Sequence, residues 1–231
     1  MDGHSHAACS SVPPHGRSRG ERLRGAVIVV GLLASSALVW QSTQAAFSAT
    51  TSNGLNEFGA GTVTIEDNDA GSAMFTVPAL KPGDTGTVCM GVRYTGSLTP
   101  SAIKLYTSGA VEKDNGGAYG AWANDATSEM DNNVNMLIKI SDTDLAADPG
   151  NNCAPAGVGL FTDVSAAAPG TDLQTMIGTE TNFATGFPSQ WGTITVNKWR
   201  VWKFTYTYNA AAPNSSQGDG VKLNFVWEAQ S

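Results

Sequence analysis

An all-β fold is predicted, a jelly-roll-like antiparallel β-sandwich with long loops and at most one or two short helices. Five segments alternate apolar and polar residues with period two, the mark of half-buried strands. Clusters of Gly, Pro, Asn and Asp punctuate them. A single short stretch, Thr171–Ile177, carries a helical pattern. Many short strands joined by long polar connections read as a sandwich.

The strands follow in order. Thr62-Val-Thr-Ile-Glu66 places Val63 and Ile65 on one side. Val88, Met90, Val92 and Tyr94 alternate with Cys89, Gly91 and Arg93. Val134, Met136, Ile138 and Ile140 alternate with Asn135 and Lys139. Trp202, Phe204, Tyr206 and Tyr208 oppose Val201, Lys203, Thr205 and Thr207, and Val221, Leu223, Phe225 and Trp227 form a last apolar row. Turn chemistry separates these rows at Lys81-Pro-Gly-Asp84, Asp114-Asn-Gly-Gly117, Asp148-Pro-Gly-Asn151 and Gln217-Gly-Asp-Gly220. Segments 108–132 and 141–170, rich in Gly, Asn, Asp and Ala, read as loops.

Ahead of the strands lies a different composition. Arg17, Arg19, Arg22 and Arg24 precede the apolar run Ala26–Trp40, which ends at Thr43-Gln-Ala-Ala-Phe47. Basic flank, short apolar core and small residues make a secretory signal peptide, and about fifteen apolar residues are short for a membrane span. Cleavage between Ala45 and Ala46 leaves small Thr43 and Ala45 at the positions the peptidase reads. The expected division is therefore 1–45, removed by a signal peptidase, and 46–231, one secreted domain. Membrane contact is expected only through the uncleaved leader, and the destination is extracellular, at a cell surface or in a matrix.

The leader takes His4, His6 and His15 with it, all three histidines of the chain. It also takes the four arginines, Asp2 and Glu21. From 13 basic and 20 acidic side chains, 9 and 18 remain, a net charge of −9. Such a surface repels nucleic-acid phosphates and anionic head groups, so nucleic acid is not an expected partner. Cys9 also departs, and Cys89 and Cys153, 64 residues apart, are left as an expected disulfide in an exported protein.

Without imidazole a mature chain offers no zincin, Ser-His-Asp or Cys-His chemistry. Asp84-Thr-Gly86 imitates half of an aspartic-protease site, but it occurs once and follows a turn sequence. Ser101-Ala-Ile-Lys104 imitates Ser-x-x-Lys but runs into strand-like Leu105-Tyr106 with no Lys-Thr-Gly partner. No catalytic residue and no obligatory cofactor is expected. Two acidic clusters are candidate calcium ligands: Glu66, Asp67 and Asp69, and Asp142, Asp144 and Asp148. Neither fits the EF-hand register. The aromatic row Trp202–Tyr208 suits a sandwich core, whereas Trp122, Trp191 and Trp199, in or near loops, are the better candidates for an exposed glycan contact.

Several short motifs resemble one group of secreted proteins. They are Thr43-Gln-Ala-Ala-Phe-Ser48, Thr50-Thr-Ser-Asn53, Phe58-Gly-Ala-Gly-Thr-Val63, Met74-Phe75 ahead of Leu80-Lys-Pro-Gly-Asp84, and Gln217 through Trp227-Glu-Ala-Gln230. Together they look like the TasA/camelysin family, nearest its short, disulfide-bearing actinobacterial members. The resemblance implies a jelly-roll sandwich, export through a dedicated signal peptidase and a structural role in biofilm matrix. It implies self-association, or association with other matrix proteins, in which the N-terminal segment of one subunit completes the sheet of the next. Here that donor would lie in 46–61, with Phe47, Leu55 and Phe58 as apolar anchors. The expected function is a non-catalytic extracellular structural protein. A carbohydrate- or surface-binding module and a metallopeptidase of the camelysin type are the alternatives.

Overall fold

The structure, a computed structural model, describes residues 48–52, 65–68, 74, 77, 80–125 and 129–231, with 48–52, Glu66 and Glu129 as backbone only. The chain divides into units 1–46 and 47–231, and all described residues belong to the second. That unit is an antiparallel β-sandwich with two short helices, matching the predicted class.

The strands are β1 (Ser48–Ser52), β2 (Ile65–Asp67), β3 (Thr85–Tyr94), β4 (Ala102–Lys113), β5 (Gly120–Ala121), β6 (Val134–Ser141), β7 (Phe161–Asp163), β8 (Thr171–Asp172), β9 (Trp199–Tyr208) and β10 (Gly220–Gln230). Helix α1 (Glu129–Asn133) precedes β6, and α2 (Leu173–Thr179) follows β8. One sheet has the order β1-β10-β4-β5. The other runs β2-β3-β9-β6-β7, with β8 also paired to β6. Among the described residues no helix is long and apolar enough to cross a membrane.

Alternation dictated the inner faces. Met90, Val92 and Tyr94 of β3, Trp202 and Phe204 of β9, and Met136, Ile138 and Ile140 of β6 are buried against Ile103 and Leu105 of β4 and Phe225 and Trp227 of β10. The aromatic row is therefore core. Trp202 meets Trp227 edge-on at 5.7 Å, and Phe204 meets Phe225 at 4.9 Å, geometries that suit the ring quadrupoles. On the outer face of the second sheet Thr87 and Thr205 hydrogen-bond at 2.9 Å.

The helical pattern at Thr171–Ile177 forms α2 because Asp172 caps it, accepting from the Thr175 N–H at 2.7 Å, and Leu173, Met176 and Ile177 point inward. At Lys81–Asp84 the predicted turn closes through Asp84 N–H donating to the Lys81 carbonyl, while the Asp84 carboxylate accepts from Lys81 N–H. Thr85 and Gly86 already belong to β3, so Asp84-Thr-Gly86 is a turn entering a strand. Ser101 and Lys104 likewise sit at the start of β4, where Ser101 Oγ donates to the Gln230 carbonyl.

Both loop expectations fail in part, since Phe161–Asp163 within 141–170 forms β7. Segment 108–132 was expected as loop, yet Ser108–Lys113 continues β4. The register against β10 slips between Lys222 and Asn224: Asn224 faces Ser108, but Lys222 faces Val111. One extra residue is thus inserted in β4, at Gly109, whose φ is +61°. This is a β-bulge with glycine in the left-handed region. It breaks the period-two pattern, so no alternation reveals the second half of the strand.

Candidate functional site

The bulge changes which side chains face inward. Before it, Ile103, Leu105 and Thr107 are buried; after it, Glu112 is, at 7% exposure. A charged residue on the inner face is costly unless partnered. Glu112 Oε1 accepts from the Ala123 N–H at 3.0 Å, and Oε2 has no hydrogen-bond partner. Coulombic repulsion couples Glu112 to Asp131 of α1, a residue with no exposed surface. Asp131 Oδ2 accepts from the Trp122 indole N–H at 2.8 Å, and its Oδ1 is likewise unpartnered. Burial, then the charge of Glu112, push the Asp131 carboxyl up to about 6 against the opposing pull of the Trp122 and nearby peptide N–H groups.

Beside this pair lies an open cleft of about 470 Å³. Leu80, Met130, Tyr208 and Val221 contribute its apolar wall, and Lys113 and Tyr119 part of its rim. Lys113 and Lys222 stack over the Tyr119 ring, 5.5 and 3.9 Å from its centroid.

The sites expected from sequence fare unevenly. Cys89 and Cys153 are bridged, their Cα atoms 5.2 Å apart. Ala45, Ala46, Phe47, Leu55, Phe58 and Asp69 lie outside the described residues, as does the side chain of Glu66. The backbone of β1 pairs with β10 from Ser48 opposite Gln230 to Ser52 opposite Val226.

Among the described residues no three His, Cys, Asp or Glu side chains gather as metal ligands. Asp67 stands in β2. Asp142 accepts from Thr143 Oγ1 at 2.9 Å, which holds its carboxyl below the usual range. Asp144 pairs with buried Arg200 at 2.5 Å, and Asp148 accepts from Asn68 Nδ2 and Gly150 N–H. Asn68 in turn accepts from Gly91 N–H at 3.0 Å, tying the acidic loop to β3. These carboxylates organise the long loop through separate protein donors.

The expected exposed tryptophans are a correction. Trp191 is 1% and Trp199 7% exposed: the loop carrying Trp191 packs it on Trp202 at 6.5 Å, and Trp199 opens β9, where it stands under the Arg93 guanidinium of β3. Trp122 is half-buried and spends its N–H on Asp131. None offers an open platform for a sugar ring.

Sandwich, disulfide and short helices define a small disulfide-stapled β domain with a buried carboxyl pair. A family model described as camelysin metallo-endopeptidase matches residues 22–146, more than half of the chain, from the basic flank through β6. The chain belongs to the camelysin family. No curated protein matches it.

The family's description implies a metal, and the donor set can be tested against it. A hydrolytic zinc takes three protein ligands, commonly including imidazole, plus an open position. His4, His6 and His15 lie outside the described residues. Glu112 and Asp131 supply only two carboxylates, enclosed rather than open. The described residues do not fit such a centre.

Proposed function

We propose that this protein is exported, trimmed between Ala45 and Ala46, and serves outside the cell as a non-catalytic structural subunit that joins other copies by exchanging β1. The observation that carries this reading is the place of β1. It is an edge strand at the N-terminal end of the domain, held along five consecutive positions of β10. Backbone pairing is indifferent to which copy supplies the strand, so the β1 of a neighbour can occupy the same register.

The opposite edge of that sheet is already occupied. Thr107 N–H donates to the Glu180 carbonyl, Phe187 N–H donates to the Leu105 carbonyl, and β5 pairs with Val111 and Glu112. Such covering blunts an edge against unwanted addition. The β1 side is then the edge available for exchange.

Electron microscopy and light scattering of the protein trimmed to Ala46 test the proposal. Oligomers or filaments are expected, and they should vanish when residues 46–61 are deleted. A synthetic 46–61 peptide should bind the deleted protein and raise its melting temperature. A protein that stays monomeric at high concentration and is indifferent to the deletion refutes assembly through β1.

The family's description favours a second reading, a metallo-endopeptidase. Its test is proteolysis by the purified protein with and without divalent metal. No activity is expected, and metal-dependent cleavage would replace the structural reading.

A further inference from the structure

We propose that Asp131 carries a proton on Oδ1 and donates it to Glu112 Oε2, forming a pH-operated latch that fastens the β5 segment and α1 to β4. The geometry supplies three supports. The Gly109 bulge is what turns Glu112 inward, and bulges recur where a side chain must be re-aimed. Each carboxylate is fully or nearly buried, and one oxygen of each accepts from a donor of Trp122–Ala123, with further peptide N–H groups beside Asp131. The oxygens left over, Oε2 and Oδ1, are both acceptors without donors. A proton on Asp131 turns its carboxyl into a donor that Glu112 Oε2 can accept, which resolves the mismatch.

Among the described residues, neighbouring elements bring no base to do the same work. Helix α1 packs on α2, β6, β8, β10 and the 3-10 turn Asn214–Ser216. Helix α2 has no charged residue, and Asp172 beside it caps Thr175. Lys113 and Lys222 stack on Tyr119, Lys139 pairs with Asp163, Glu228 accepts from Tyr106, and Asp219 accepts from the Asn115 N–H. Calcium is a poorer occupant, since two free oxygens fall well short of its six to eight.

The latch also reaches the cleft. Lys113 and Met130, the immediate chain neighbours of Glu112 and Asp131, line it together with Tyr119. With the proton present, β4, β5 and α1 are pinned and the cleft wall is set. With Asp131 ionised, its buried charge faces the repulsion of Glu112 and the hold between β4 and α1 is lost. The carboxyl of Asp131 is raised from 3.8 to about 6. Because the folded value lies above the unfolded one, the stabilisation is complete below about 4 and is lost as pH rises through about 6.

The test is thermal melting of wild type, Asp131→Asn and Glu112→Gln from pH 4.5 to 8, with 13C carboxyl titration of the wild type by NMR. The Asp131→Asn side chain keeps an acceptor for Trp122 and adds a donor toward Glu112 Oε2, imitating the protonated latch. It should raise Tm by about 5 °C at pH 7.5 and erase that advantage at pH 4.5. Glu112→Gln should behave alike, and the Asp131 carbon should titrate near pH 6. Titration near pH 4, or an Asp131→Asn protein less stable than wild type at pH 7.5, overturns the latch. So does a calcium-induced rise in Tm that Asp131→Asn abolishes, which would assign the pair to a cation.

Discussion

Replacing Cys89 and Cys153 together with serine isolates what the disulfide contributes. The bridge closes a loop of 64 residues. Loop-closure entropy for that length gives about 4 kcal/mol, mostly by restricting the unfolded chain. The native loop has other anchors that survive the change. Leu145 and Trp199 exchange two backbone hydrogen bonds of 2.9 Å, Asp144 holds Arg200, and Asn68 bridges Gly91 to Asp148. The variant should therefore keep its far-ultraviolet circular dichroism and lose stability chiefly through the denatured state. At roughly 2–4 °C per kcal/mol for a domain of this size, Tm should fall by about 10 °C. Urea unfolding should show a lower midpoint with an equal or larger m-value, since the freed chain exposes more surface. A Tm within about 2 °C of wild type would refute the entropic reasoning. Collapse of the dichroism at room temperature would refute the claim that the other anchors suffice.

Asp144→Ala leaves the Arg200 guanidinium, whose side chain is 10% exposed, with the Ser141 carbonyl but without its carboxylate; urea unfolding should show a loss of about 3 kcal/mol, and Arg200→Leu/Asp144→Leu a smaller one. Gly109→Val forces a β-branched residue into φ +61° at a cost of about 1–3 kcal/mol. If that variant survives, the register of β4 should shift and the pH dependence tied to Glu112 should disappear, as read by melting at pH 4.5 and 7.5. Phe204→Ala, which removes a ring in contact with Phe225 and Trp227, should cost about 3–5 kcal/mol by the same urea assay.

The two proposals concern separate ends of one sheet. Exchange of β1 uses the β10 edge at Val226–Gln230, while the carboxyl pair sits where β4 ends at Lys113. Deleting the donor strand should leave the pH response of Asp131→Asn unchanged, so each idea can fail alone.

Local chemistry made much of this protein legible before any fold was built. The rows of β3, β6, β9 and β10 were readable because alternation needs only neighbours in sequence. The disulfide was readable because two cysteines after the leader allow one pairing. The second half of β4 was not, since one inserted residue at Gly109 reverses the inward phase and erases the pattern. An isolated glycine within a strand-like run was the available signal. Burial of Trp191 escaped because loop residues are covered or bare according to how distant segments fold over them, and that of Trp199 because it opens β9 under Arg93 of β3. Glu112 and Asp131, 19 positions apart in sequence, are buried within reach of each other's charge only once the bulge and α1 have turned both inward. Sequence by itself determined the sandwich, its core rows and its staple, because period and composition are local quantities. Tertiary structure alone decided which charges are buried together and which edge β1 closes, because proximity across the fold is written in no short stretch of chain.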